Sequence, residues 1–564
     1  MTQWTVSLPQ SPIVFLSKRA LTHPNNTVMY GRCRLASSKG KDTEMKTLSI
    51  LAAAVLLAGA ASAQSQELVV GSQGDPSLDP HYMYIGTNVA FWRHTYGSLT
   101  MHDEEGHAGP SLAESYELID DHTWEFRLRD DVKLEDGSML SAADVVYSLN
   151  RVKSLPGNPS PYTVRLESIT DFEAVDPLTV RITTDTPNPY VPDNLSQVAI
   201  LPQKATEGKS TGDFTSEGGI GEYGPYRVSS FSPGDRLVLE RNEDYWGEQP
   251  YWERVTFRIM PNDASRVAAL LAGDVDLIDF VPPSDVKRLR ENTDITVHDG
   301  PSTRMMVLLL NFLDGQVGGI TGADGRPIDQ NPLRDLRVRQ ALSKAIDRNA
   351  LVERIMDGAA DAATQIAMPG MEGYDPDREA EVADTQGARA LLAEAGYPDG
   401  FGISVACSNN RYPNDARVCQ AVGQMLARAG LQPKVETQPM SVMMTAMQGD
   451  DFAIGMLGLG AQGTRPQTLG HIVHSVDREA GRGGYNFGDY SNPELDKIID
   501  DAVVTLDRDS RDELMRDAVN RTAEEVVVIP LYFQRVLTAS RSKLTYTTDP
   551  MEETLTWRAK PASE

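Results

Sequence analysis

From Gly402 to Gly460 the chain alternates between two hydrophobic periods, and this alternation restricts the fold more than any other stretch. Ile403, Val405 and Cys407 repeat at every second residue, as one face of a strand does. Val418, Ala421, Val422, Met425, Leu426 and Ala429 then recur at helical spacing until Gly430 stops the helix. A strand is predicted around Lys434 to Thr437, a short helix from Val442 to Met447, and a further strand from Phe452 to Leu457. Consecutive strands joined through helices require right-handed crossovers, and the product is a parallel sheet in an α/β architecture. In such sheets the loops at the carboxyl ends of the strands share one edge and receive the ligand. Two loops fall there, Ser408 to Asp415 and Gly458 to Thr464.

The second loop carries Gly458, Gly460 and Gly463 in the G-x-G-x-x-G spacing that cradles a dinucleotide pyrophosphate. The rest of that motif is missing. Thr464-Arg465-Pro466 opens no convincing amphipathic helix, no first strand of the unit lies where it should, and Asp477 and Asp489 are poorly placed for a ribose. The expectation is therefore no cofactor, with glycines that let backbone or ligand approach closely. His471 and His474 share H-x-x-H spacing but have no neighbouring acid or third ligand, so surface or interlobe histidines are preferred to a metal site. No nucleophile elbow, metalloprotease helix, phosphate loop or calcium loop is present in the sequence, and no catalytic residue is assigned.

At 564 residues the chain calls for two or more lobes. Eighty acidic residues against 53 basic give a formal charge of -27, which repels phosphate backbones and anionic lipid and makes nucleic acid an unsuitable partner. From Met45 a lysine, an apolar run from Leu48 and the small-residue triplet Ala61-Ser62-Ala63 form a secretory signal over 45–63, with cleavage expected after Ala63. Residues 1–44 are then expected to be a non-native or disordered extension; a cytoplasmic extension before an uncleaved anchor is the alternative. In an oxidising compartment Cys407 and Cys419 are either a disulfide or two buried thiols close in sequence.

Elsewhere, Trp124, Phe126 and Leu128 alternate with charged residues, and then Val132 and Leu134 alternate before Asp136-Gly137, which predicts a half-buried strand pair with turns. Ser141 and Asp144 form a capping box before a helix with Val145, Leu149 and Val152 on its apolar face. Val338, Ala341, Leu342, Ala345 and Ile346 mark another helix, and Asp347 is placed to cap one running to Met356.

Several of these segments, in order, resemble the family 5 extracellular solute-binding proteins, the receptors of peptide and nickel-type ABC importers. They include "SLDPHYMY" at 77–84, "TWEFRLRDDVKLEDGSMLSAADVVYSLNR" at 123–151, "LERNEDYWG" at 239–247, "RVAALLAGDVDLID" at 266–279, "LRVRQALSKAIDRNALVERIMDG" at 336–358 and "LLAEAGYPDGF" at 391–401. The resemblance implies two lobes around a cleft. Lobe I would comprise 64–110, 225–312 and 528–564, its extra subdomain 111–224, and lobe II 313–527. The apolar runs Arg304 to Asn311 and Val526 to Tyr532 would be the two strands of the hinge.

The resemblance also implies a monomeric periplasmic receptor that captures a peptide or peptide-like solute and delivers it to an ABC permease. Family members often carry a tryptophan, and an aspartate that holds a peptide amino terminus, after the lobe II strand; "GMLGLGAQGTRPQTLG" has neither. Arg411 and Arg465 would suit a carboxylate or another anion instead, or else form interlobe pairs. The expected contacts are Asn409, Asn410, Arg411, Tyr412, Asp415, Gly460, Gln462 and Arg465 from lobe II, facing His81 and Tyr82 from lobe I. A binder of a metal chelate, an opine or an oligosaccharide on the same fold, a periplasmic chaperone and, last, an enzyme are the competing readings.

Overall fold

The computed structural model describes residues 66–103, 107–460 and 465–562, with the side chains of Arg465 and Pro466 left out. The predicted signal and everything before it lie outside the described residues. A twelve-stranded mixed sheet runs through the described chain, and two long strands, Ile295–Leu310 and Val528–Arg541, form its centre. They pair antiparallel from Ile295 opposite Arg541 to Leu309 opposite Val528. Both are longer than the apolar runs predicted, because the extension of the first, Ile295 to Gly300, reads as polar "ITVHDG". The ladder is irregular between Pro301 and Met305, and this break divides the sheet into two lobes.

In the first lobe Glu67–Ser72 lies parallel to Arg254–Ile259 and to Leu277–Ile278, which pairs with the far end of Val528–Arg541. In the second lobe Gly402–Ser408 lies between Gln432–Gln438 and Ile454–Leu459, all parallel, with helices Asp415–Arg428 and Met440–Gln448 as crossovers. This is the strand-helix alternation of the sequence, and every residue of the central strand is buried. Ile454–Leu459 then pairs antiparallel with Met305 to Leu310, joining the parallel unit to the long strands.

Cys407 on the strand and Cys419 on the following helix form a disulfide, with Cα atoms 6.4 Å apart. The Ser141 capping box and the Asp347 cap are both present, Asp347 accepting from the Ala350 amide at 2.9 Å. Val132 and Leu134, predicted as a second strand, are buried but form only a bridge and turn. Their alternation reflects burial beneath a loop, not a ladder. The real partners of Thr123–Leu128 are Ala113–Asp120 and Thr179–Thr184, in a separate four-stranded sheet.

That subdomain is fused to the first lobe: Phe126 and Leu149 share one continuous core with Leu68, Phe91 and Phe257. The return from subdomain to lobe is tight, since a Cβ on Gly224 would lie 2.6 Å from the backbone of Thr95. Beside it the buried Glu222 accepts from the Val228 amide at 2.6 Å, and burial pushes its pKa up to about 8. The folded protein therefore holds a proton there that the unfolded chain loses near 4.5, so stability falls as pH rises from about 4.5 to about 8. Glu222→Gln should melt close to the parent at pH 5 and clearly above it at pH 8.5 by scanning calorimetry; an equal shift at both pH values would remove this assignment.

Candidate functional site

The loop after Gly402–Ser408 is shaped by Asp415. Its Oδ2 accepts from Ser408 Oγ at 2.7 Å and from the amides of Arg411 and Tyr412 at 3.1 and 3.2 Å. With these bonds made and only 4% of its surface exposed, Asp415, expected among the lobe II contacts, braces the loop from within. Asn410 Oδ1 accepts the first amide of helix Met440–Gln448 at 3.0 Å, and Asn409 donates its amide to Gln438 at 3.0 Å. Both side chains remain exposed, as does Arg411, whose guanidinium lies 5.2 Å from the centroid of the Tyr412 ring.

Tyr412 explains one of the glycines. A Cβ on Gly458 would meet its ring carbon Cε1 at 2.5 Å, so the strand end has to be bare for the tyrosine to lie on it. Gly460, next along, lies beside Arg304: a Cβ there would be 3.4 Å from Nη1. Arg304 sits in the irregular stretch of the long strand and is held by Glu552 through Nε and Nη2, the latter at 2.7 Å; Ser302 donates to the same carboxylate at 2.8 Å. The glycines thus admit side chains of the second lobe and of the connecting strand. Gln462 lies outside the described residues. Arg465 opens a helix, Arg465–Ile472, where the sequence suggested none.

His81 and Tyr82 do not face this loop. His81 is 1% exposed, donates from Nε2 to the Ala199 carbonyl at 2.8 Å, and is held neutral with a pKa of about 4, first by burial and then by Arg151. Tyr82 lines a groove with Tyr147, Asn150 and Arg151 on the subdomain side. The stretch "SLDPHYMY" is instead a braced turn: Asp79 is paired to Arg151 through both carboxylate oxygens at 2.9 and 2.8 Å, and it also accepts from Thr211 at 2.7 Å. His474, past the end of its helix, spends both ring nitrogens, on the Ser475 carbonyl at 2.8 Å and on Asp500 at 3.2 Å.

What the turn delivers is Tyr84, two residues beyond the predicted pair. Arg165 donates to the Tyr84 hydroxyl from Nε at 2.9 Å and stacks on its ring at 4.9 Å. Its Nη1 lies 3.3 Å both from Asn194 Oδ1 and from Gln467 Oε1, and Gln467 donates to Asn194 at 3.3 Å. Gln467 belongs to the second lobe, so this cluster bridges subdomain and lobe. A second bridge joins Tyr190, whose hydroxyl donates to Glu372 at 2.7 Å, to Arg511, which donates to the same carboxylate at 3.0 Å and lies 5.2 Å from the Tyr190 ring centroid. Sequence reasoning singles out none of these residues except by their closeness to Tyr82 and Arg465, since most sit on short turns or single-turn helices with no periodic signal.

Two lobes joined by a pair of continuous strands, and meeting elsewhere through polar side chains, define a binding protein that encloses its ligand between them. The chain belongs to the bacterial extracellular solute-binding proteins, family 5, whose model matches residues 107–477. It is 28% identical over 514 residues to the glutathione-binding protein GsiB of Pectobacterium atrosepticum, covering 88% of this chain and 94% of that one. It is 25% identical over 497 residues to the dipeptide-binding protein of Escherichia coli, covering 82% and 88%. The fold is shared with HbpA2 of Haemophilus parasuis at a TM-score of 0.75, with 23% identity and coverage of 88% and 100%. It is also shared with the periplasmic binding protein DppA of Helicobacter pylori in complex with the peptide STSA, at 0.71, 21% identity and coverage of 88% and 98%.

Proposed function

We propose that this protein is the receptor of an ABC importer, that it closes on a peptide or peptide-like solute and presents the closed form to a membrane permease. The observation that carries the reading is the pair of polar bridges across the lobes, Arg165-Asn194-Gln467 and Tyr190-Glu372-Arg511, set against two strands on which the lobes can turn. A ligand drives closure only by binding the closed state better than the open one, and groups that converge only when the lobes meet supply that difference. The glutathione- and dipeptide-binding relatives support a peptide-like class.

Lobe I then comprises 64–110, 225–312 and 528–564, the subdomain 111–224 and lobe II 313–527. Asn409, Asn410, Arg411 and Gly460 present exposed groups to the solute from lobe II, with Tyr412 and Arg304 behind them. The protein acts as a monomer, without catalysis or cofactor, after cleavage following Ala63. Native mass spectrometry of the purified mature protein, followed by denaturing release, tests this. The expected result is a heterogeneous set of short peptides; a single non-peptide compound would replace the peptide class with another solute on the same fold.

A further inference from the structure

We propose that Arg165 is the anion-binding subsite of the cleft, receiving a carboxylate of the bound solute from the subdomain side. This rests on the receptor reading above and adds the chemistry of one end of its ligand.

Arg165 is 8% exposed, and a buried guanidinium is costly unless its charge is compensated. Most of the other deeply buried arginines have a carboxylate partner. Arg93, Arg151, Arg266, Arg348 and Arg511 each pair with a carboxylate, and Arg339 is spent on the backbone carbonyls of Glu525, Leu333 and Arg334. Arg165 shares the lack of a carboxylate with Arg339 alone, and differs from it in having side-chain acceptors in place of backbone carbonyls. Among the described residues its hydrogen-bond partners are a phenol and two carboxamides, and no carboxylate lies within ion-pair distance. Glu167, two residues away, makes no such pair; partial burial raises its pKa while Arg165 and Arg482 counter the rise.

The location is equally specific. Gln467 and Asn194 approach from opposite sides of the lobe seam, and each contact to Arg165 Nη1 is 3.3 Å, at the long end of the hydrogen-bond range. A carboxylate arriving between the lobes replaces weak neutral acceptors with two short charge-assisted bonds, for which the guanidinium fork is shaped. The surrounding field favours an anion. His471 of the second lobe has its pKa lowered first by burial and then by Arg482 and Arg165. Arg482 already has its counter-ion in Asp500, at 3.0 Å, so of these two cations Arg165 is the one open to a ligand anion. The stack on Tyr84, itself 4.8 Å from the Tyr162 ring, fixes the plane of the guanidinium before ligand arrives.

The test uses the mature protein and two defined probes, an equimolar mixture of random tripeptides as free acids and the same mixture as carboxyl-terminal amides, with retained species quantified by native mass spectrometry. The wild type should retain acids at least about tenfold over amides, which corresponds to one charge-assisted contact. Arg165→Gln should bring that ratio close to one, and Arg165→Lys should keep part of it, with the melting temperature of each variant confirming folding. If the preference instead follows Asp- and Glu-containing members in both mixtures and vanishes in Arg165→Gln, the subsite takes a side-chain carboxylate. A preference unchanged in Arg165→Gln, or equal retention of acids and amides by the wild type with no preference for Asp- and Glu-containing members, overturns the subsite and leaves the peptide receptor standing. Retention of neither mixture by the wild type overturns the peptide reading and this subsite with it.

Discussion

Replacing Asp79 by alanine should cost about 3–5 kcal/mol of folding stability, the scale seen when one partner of a buried ion pair is removed. The carboxylate is 0% exposed and Arg151 is 8% exposed, so the variant leaves a guanidinium in the core with no counter-ion. It also frees the Thr211 hydroxyl and the His81 amide, which Asp79 accepts at 2.7 and 3.1 Å. Burial raises the Asp79 pKa, but the hydrogen bonds and charge of Arg151 outweigh it and hold the group below its ordinary value. A depressed carboxylate contributes stability that is present above the unfolded pKa of 3.8 and is lost as pH falls through the folded one. The deficit of Asp79→Ala should therefore be full at pH 7 and shrink at strongly acid pH. Pairing it with Arg151→Met should recover much of the loss, since removing both charges spares the unpaired one. Denaturant unfolding of the two single variants and the double variant reads this cycle, and a single-variant loss below about 1 kcal/mol with no coupling would show that the pair is not the brace of the turn. The same variant should weaken solute binding, because the braced turn positions Tyr84 and through it Arg165.

That outcome would also explain what the sequence made legible. The parallel unit of the second lobe could be read because each element repeats its own period over a full length, from Ile403 on the strand to Ala429 on the helix. Its loop could be located for the same reason, and Asn409, Asn410 and Arg411 are exposed there. The burial of Asp415 is not legible, because a carboxylate that braces a loop from within and one that meets a ligand have the same letter and the same position after a strand. In "SLDPHYMY" the polar residues invite a binding role, yet Asp79 and His81 are buried scaffold and the group that reaches the seam is the last tyrosine. The seam itself had no signature. Arg165 closes a single 3-10 turn, Tyr190 precedes a five-residue helix, and the bond from Arg165 to Gln467 spans 302 residues of sequence. Local periodicity reports which face of an element is buried; it carries no information on which turns meet when two lobes come together.

The bridge at Tyr190 is where that meeting can be weighed. Tyr190→Phe removes one hydroxyl that donates to Glu372 at 2.7 Å while keeping the ring on which Arg511 stacks. Glu372 and Arg511 both belong to the second lobe and stay paired at 2.9 Å, so neither is left uncompensated. Burial and the Glu372 charge raise the tyrosine pKa, which keeps the phenol a donor throughout the working range. Hydrogen bonds to charged groups contribute about 1.5–3 kcal/mol, and this one joins residues 182 positions apart across the proposed lobe seam, so opening is expected to break it. The variant should therefore destabilise the closed state by that amount and leave the open state unchanged. The dissociation rate of a bound solute should rise about 10- to 100-fold, with association nearly unaffected because encounter occurs with the open form. Stopped-flow release of peptides recovered from the wild-type protein measures this, alongside unfolding of the ligand-free variant, which should change little. An unchanged release rate would mean that the bridge forms without bearing on closure, and the work of holding the solute would then fall on Arg165 and the loop at Asn409 to Tyr412.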